Sequence, residues 1–147
     1  MDMRRLPALT LIEIMVVLGI VAILAGVAWS GVQGLRMNQA MQTSAEEVKG
    51  AVTLAHIYAR EARDERSWGV VRMADDSLTL VSSEGDEVTV VTNYQLQTPA
   101  KFGESWDAIW FGQGTGNTSV NREIQIVLPG GRTRIVRVSR TGVVEIL

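Results

Sequence analysis

The sequence predicts an α+β fold, in which a long N-terminal α-helix packs on an antiparallel, β-rich and sandwich-like C-terminal head. Three patterns predict it: an apolar block near the N-terminus, an alanine-rich stripe at helical spacing, and short β-branched runs in the second half of the chain. We expect a short charged N-terminal segment over residues 1–8, a membrane helix over 9–33, an amphipathic helix over 34–66 and the head over 67–147.

The apolar block covers residues 9–29 and is interrupted only by Thr10 and Glu13. A helix of this length spans about 30 Å, which matches the hydrocarbon core of a bilayer. Arg4 and Arg5 precede the block and predict a cytoplasmic N-terminus. The alternative is an ordinary secretory signal peptide. Glu13 argues against it, because a carboxylate within an apolar helix costs ~2.5–3.5 kcal/mol and normally has a partner.

The amphipathic segment is marked by apolar residues at alternating spacings of three and four, which predict one helical face packed on the head. The alternative for this segment alone is a core helix of any soluble domain. His56 is the only histidine and follows one residue after the stripe position Ala55, so we predict a helix-surface residue. The stripe consists of Met41, Ala45, Val48, Val52, Ala55, Ala59 and Ala62.

The head is predicted to contain seven strands, because β-branched runs alternate there with glycine-rich and acidic turns. Longer loops are expected over residues 98–105 and 112–121, and the last three strands are expected to form a meander. The strands are predicted at residues 68–73, 78–82, 87–92, 106–111, 123–128, 132–139 and 143–147.

The segment Ala8-Leu9-Thr10-Leu11-Ile12-Glu13 with its following aliphatic run resembles the class III prepilin signal of type IV pilins and type II secretion pseudopilins. The resemblance implies that a prepilin peptidase cleaves between Ala8 and Leu9 and that the new amine of Leu9 is methylated. It also implies that Glu13 sets the register between subunits by compensating a neighbour's N-terminal ammonium. Ala8 stands where the family usually has Gly, and Leu9 where it usually has Phe or Met.

The C-terminal pattern from Gly131 to Gly142, together with the alanine-rich helix, resembles the GspH/FimT-type minor pilins and pseudopilins. The resemblance implies a filament subunit that is a single-pass inner-membrane protein with a periplasmic head before assembly. The same resemblance implies that the subunit then enters a periplasmic pseudopilus or a cell-surface pilus. The implied partners are prepilin peptidase, other pilins or pseudopilins contacted through the N-terminal helix, and the inner membrane.

Two other function classes stay open. Some FimT-type minor pilins are associated with DNA uptake, and Arg132, Arg134, Arg137 and Arg140 concentrate positive charge near the C-terminus of a chain whose formal net charge is −2. The simpler interpretation is a solvated strand edge that discourages aggregation. A secreted enzyme is the third class. It is disfavoured, because the chain has no cysteine and no recognisable nucleophile–base, carboxylate-pair or metal motif. We therefore expect no cofactor, no metal and no catalytic residue.

Overall fold

The computed structural model describes residues 10–103 and 106–147. One α-helix, α1, runs from Leu11 to Arg60. The chain divides into two compact units, one up to Arg36 and one from Met37 onward. Within the second unit, α1 ends where Ala62 adopts a left-handed backbone with φ of 50°, and a short 3-10 helix follows over Arg63–Glu65.

Eight strands form two antiparallel four-stranded sheets. Sheet A has the order β3-β2-β1-β5 and sheet B the order β4-β6-β7-β8. All seven predicted strands are present, and the meander β6-β7-β8 is confirmed. The prediction of a loop over residues 98–105 was partly wrong, because β4 lies within this range and pairs with β6. The bounds are β1 Ser67–Ala74, β2 Ser77–Glu84, β3 Glu87–Gln95, β4 Lys101–Phe102, β5 Ala108–Phe111, β6 Arg122–Val127, β7 Thr133–Val138 and β8 Val144–Ile146.

The core of the second unit lies between α1 and the inner faces of the two sheets. The predicted stripe is confirmed from Met41 to Ala59, since its members there are 0–6% exposed. Small side chains on this face let the helix approach the sheets closely, and the aromatic and branched residues of the strands fill the remaining volume. This packing confirms the α+β class. The strand residues of the core include Trp68, Val70, Leu80, Phe111, Ile124 and Val136.

Polar contacts also join α1 to the head. The Ser44 hydroxyl is fully buried and accepts a hydrogen bond of 2.9 Å from the backbone N–H of Gln97. Buried polar groups are stable only when they are paired in this way. The contact therefore fixes the segment between β3 and β4 against the helix.

Candidate functional site

The predicted cleavage and methylation positions, Ala8 and Leu9, lie outside the described residues. Immediately after them, the Thr10 hydroxyl accepts a hydrogen bond of 3.3 Å from the backbone N–H of Glu13. Thr10 and Glu13 have the spacing of a capping box, in which a Thr side chain satisfies the free N–H three residues later. This spacing was not among the sequence predictions, although it is visible in the sequence itself. The Glu13 backbone thus helps to begin α1, and its exposed carboxylate stays available.

On both sides of Glu13, the described part of the first unit presents apolar side chains to its surroundings. Leu11 is 78% exposed, Leu18 is 62% exposed and Leu24 is 63% exposed. Such a surface is unfavourable in water, because the transfer of each methylene group from water into an apolar environment is favourable by about 0.8 kcal/mol. Among the described residues, α1 is the one helix that is long and apolar enough to cross a membrane.

The four arginines proposed for DNA contact have different environments. Arg132 donates a hydrogen bond of 2.8 Å to the Asn38 side chain on α1. Arg137 forms a 2.9 Å ion pair with Glu123, which is its cross-strand partner on β6. Glu145 lies opposite Arg137 on the other side, in β8. Arg137 therefore sits between two carboxylates, which makes it a poor phosphate ligand.

The remaining two arginines, Arg134 and Arg140, are exposed and form no ion pair with any described residue. Arg134 lies on the same side of β7 as Val136, whereas Arg137 lies on the opposite side. Arg140 follows β7, and its backbone is held by Asn121 through a hydrogen bond of 2.8 Å. The structure thus splits the four residues into two engaged and two free guanidinium groups.

His56, predicted as a helix-surface residue, is half-buried on α1 and also contacts the head. Its Nδ1 donates a hydrogen bond of 2.9 Å to the carbonyl of Gly116, and its ring packs edge-on against Phe111 at 5.6 Å. Gly142 is buried directly against the same ring. His56 therefore fastens the 112–121 loop and the turn before β8 to α1, which is a packing role.

Two grooves of the head have no recognisable catalytic arrangement in their described lining. One groove is lined by Pro99, Phe102 and Leu128, with Lys101 and Arg72 beside them. Another is lined by hydroxyl side chains with Trp110 and Arg122, and neither groove has a histidine or a carboxylate in its described lining. A hydroxyl without a neighbouring base is a weak nucleophile.

One tyrosine has a perturbed acidity. Burial raises the pKa of the Tyr94 phenol above its ordinary value, and the nearby Tyr58 adds to that increase. Both effects disfavour the phenolate. Tyr94 packs against the core cluster, so the shift reflects its place in the fold.

Comparison with known proteins identifies the N-terminal region. Residues 3–29 match the family model described as the prokaryotic N-terminal methylation motif. No curated protein and no solved structure matches the chain. The match includes Ala8, Leu9 and Glu13 and continues into the exposed apolar part of α1. The N-terminus therefore carries the class III signal of a type IV pilin-like protein, which implies processing by prepilin peptidase and is consistent with membrane anchoring before assembly.

Proposed function

We propose that this chain is a minor pilin or pseudopilin, a structural subunit of a type IV pilus or of a type II secretion pseudopilus. The observation that carries the proposal is the methylation motif over residues 3–29, which continues into the apolar, exposed first unit of α1. An apolar helix of this kind can exchange lipid for the apolar helices of neighbouring subunits with little change in burial. The work of the protein is then assembly rather than catalysis.

In this proposal, prepilin peptidase removes residues 1–8 and the amine of Leu9 is methylated. The N-terminal ammonium and the Glu13 carboxylate each carry a penalty in an apolar environment, and pairing between subunits offsets both penalties. At 4 Å and an effective dielectric constant of 20, such a pair attracts with about 4 kcal/mol. That energy favours one axial register between neighbouring helices.

The proposed location follows from the same steps. The chain begins as a single-pass inner-membrane protein with its head in the periplasm, and it is then extracted into the filament. The GspH/FimT subtype is supported by an alanine-rich helix that precedes two antiparallel sheets. The first apolar unit would form the filament core and the head its surface.

The N-terminus of the mature protein tests the proposal. We expect the chain purified from its native membrane to begin at methylated Leu9, as read by intact mass and N-terminal sequencing. A variant with Ala8→Glu is a matched control, because a bulky charge before the cut should block cleavage while leaving the apolar helix intact. A mature chain that begins near Trp29 would refute the proposal, since it would indicate an ordinary signal peptide.

The role of Glu13 requires a separate test. Glu13→Val should leave processing intact, because it removes only the carboxylate, and it should prevent incorporation into filaments. Thr10→Val is the matched control, because it removes the hydroxyl that caps the Glu13 N–H and leaves the charge. A cap contributes about 1 kcal/mol, so this control should assemble. Normal incorporation of Glu13→Val, measured in sheared filament fractions, would show that the carboxylate does not set the register.

DNA capture is the rival function, and the free guanidinium groups of Arg134 and Arg140 are the residues it would use. If this rival is correct, Arg134→Gln with Arg140→Gln should abolish DNA retention and flatten its salt dependence. Arg132→Gln with Arg137→Gln is the matched control, because it removes the same charge from arginines that already have partners. Equal DNA retention by both double variants and the unaltered chain would exclude the arginines from DNA capture.

A further inference from the structure

The two sheets of the head differ in the chemistry of their outer faces. In sheet A, one cross-strand row on the outer face consists of Trp110, Gly69, Val81 and Val90. The Trp110 ring lies across Gly69, where a Cβ atom would approach it to 2.8 Å. None of the outward positions on the described strands of sheet A is charged. Sheet B instead presents the charged row Glu123, Arg137 and Glu145, which suits contact with water.

The open edge of sheet A is equally uncharged. β3 is an edge strand of nine residues, and after Glu87 it contains no charged residue. Val88 is 53% exposed, Val90 is 56% exposed and Val91 is 45% exposed. Edge strands usually carry lysine, proline or other features that prevent pairing with a further strand, and here only a bulge at Val91 interrupts the edge. This edge has the character of a strand that pairs in an assembly.

Complementary charges lie at the start of the edge strand β3 and at the end of sheet B from which the edge strand β8 begins. Asp86 and Glu87, at the start of β3, are exposed and form no ion pair with a described residue. Arg122 and Arg140 lie at the end of sheet B from which β8 begins, and they too are exposed and without such a pair. β8 is the edge strand of sheet B, and Val143 beside it is 55% exposed.

We propose that β3 of one copy pairs in parallel with β8 of a second copy of this chain. Parallel pairing places Asp86 and Glu87 near Arg140 of the partner copy and sets the exposed valines of β3 beside Val143, which directly precedes β8. The contact uses two different edges, so each copy can accept one neighbour and offer itself to another, which gives an open helical array. The inference rests on the proposed function as a filament subunit. Beyond that function, it specifies the surfaces through which the heads of two copies meet.

A second copy explains the charges better than a nucleic acid does. The two carboxylates at the start of β3 repel phosphate, and the uncharged outer face of sheet A offers it no cation. Opposite charges at two edges of one chain, in contrast, suit a contact between copies and exclude the reversed strand direction. The apolar centre with a charged margin also resembles the anatomy of protein interfaces.

Cysteine cross-linking tests the contact, because the chain has no cysteine of its own. Val88→Cys with Val143→Cys should give a ladder of dimers and higher species after mild oxidation of membranes or filaments from cells that assemble the full chain. Val88→Cys with Thr133→Cys is the matched control, since Thr133 is exposed on the outer face of sheet B. Equal ladders from both pairs, or cross-links only to a different protein, would overturn the inference.

Two variants test the chemistry of the contact in the same cross-linking background. Val90→Lys places a charge in the open edge and should lower the cross-linked fraction about tenfold. Glu87→Arg should also lower the cross-linked fraction, and adding Arg140→Glu should restore it. A general folding defect caused by Glu87→Arg would not be reversed by this second charge change. Failure of this rescue would overturn the parallel register.

The N-terminus of the same samples separates the two proposals. A chain that begins at methylated Leu9 but gives no ladder would overturn only the strand pairing. A chain that begins near Trp29 would overturn both the filament function and the pairing that rests on it.

Discussion

Gly142→Ala should destabilise the head strongly, because two separate costs arise at this position. Gly142 has φ of 80°, a left-handed conformation that costs other residues roughly 1–2 kcal/mol. The added methyl would also lie within the His56 ring, 2.7 Å from Cγ and closer still to Nδ1 and Cε1. Overpacking of this kind costs roughly 1–3 kcal/mol, so the total is about 2–5 kcal/mol. A domain of this size is stable by only about 5–15 kcal/mol.

Gly131→Ala provides the matched control. Gly131 has the same φ of 80°, but a methyl group there meets nothing within 4 Å. The difference between the two variants therefore isolates the collision with His56. Urea unfolding of the full chain in detergent, followed by near-UV circular dichroism of its tryptophans, measures both free energies of unfolding. The reasoning is refuted if Gly142→Ala loses no more stability than Gly131→Ala, or if adding His56→Ala to Gly142→Ala brings no recovery.

Three further predictions use the same unfolding measurement or a titration. Ala62→Gly should stabilise the head by about 1 kcal/mol, because glycine adopts the left-handed φ of 50° at the end of α1 without strain; an unchanged urea midpoint would contradict this. Ser44→Ala should cost about 1–3 kcal/mol, since the Gln97 N–H loses its acceptor, whereas the exposed Ser119→Ala should cost little. The folded state holds the Tyr94 proton to higher pH than the unfolded state, so the stability linked to this group is complete below about pH 10 and is lost as pH rises through its folded pKa. The chain has two tyrosines, so an absorbance titration of the Tyr58→Phe variant reports the pKa of Tyr94 alone. A Tyr94 pKa in the folded variant at or below its value in the unfolded chain would contradict the effect of burial.

The N-terminal assignment was available from the sequence, because its physical causes are local. Charge before an apolar block, the length of that block and the isolated Glu13 are properties of consecutive residues. The stripe from Met41 to Ala59 is also local, since a helix repeats every 3.6 residues and the buried face follows from that period. The strand positions followed from composition for the same reason.

Long-range pairing decided the remaining features. His56 is held because sheet topology brings Gly116 and Gly142 to one side of α1, and no periodic pattern indicates which loops will arrive there. β4 has only two residues, so it is too short to produce a pattern in the sequence. It is a strand because it pairs with β6.

Local patterns in the sequence predict a membrane-type helix with a class III signal, an amphipathic helix and a set of strands. The tertiary structure shows in addition that Arg132 and Arg137 are engaged while Arg140 forms no ion pair with a described residue, and that one outer sheet face and the β3 edge after Glu87 are uncharged. The physical reason is that alternation along a strand shows which residues share a face, whereas strand order determines which neighbours that face meets.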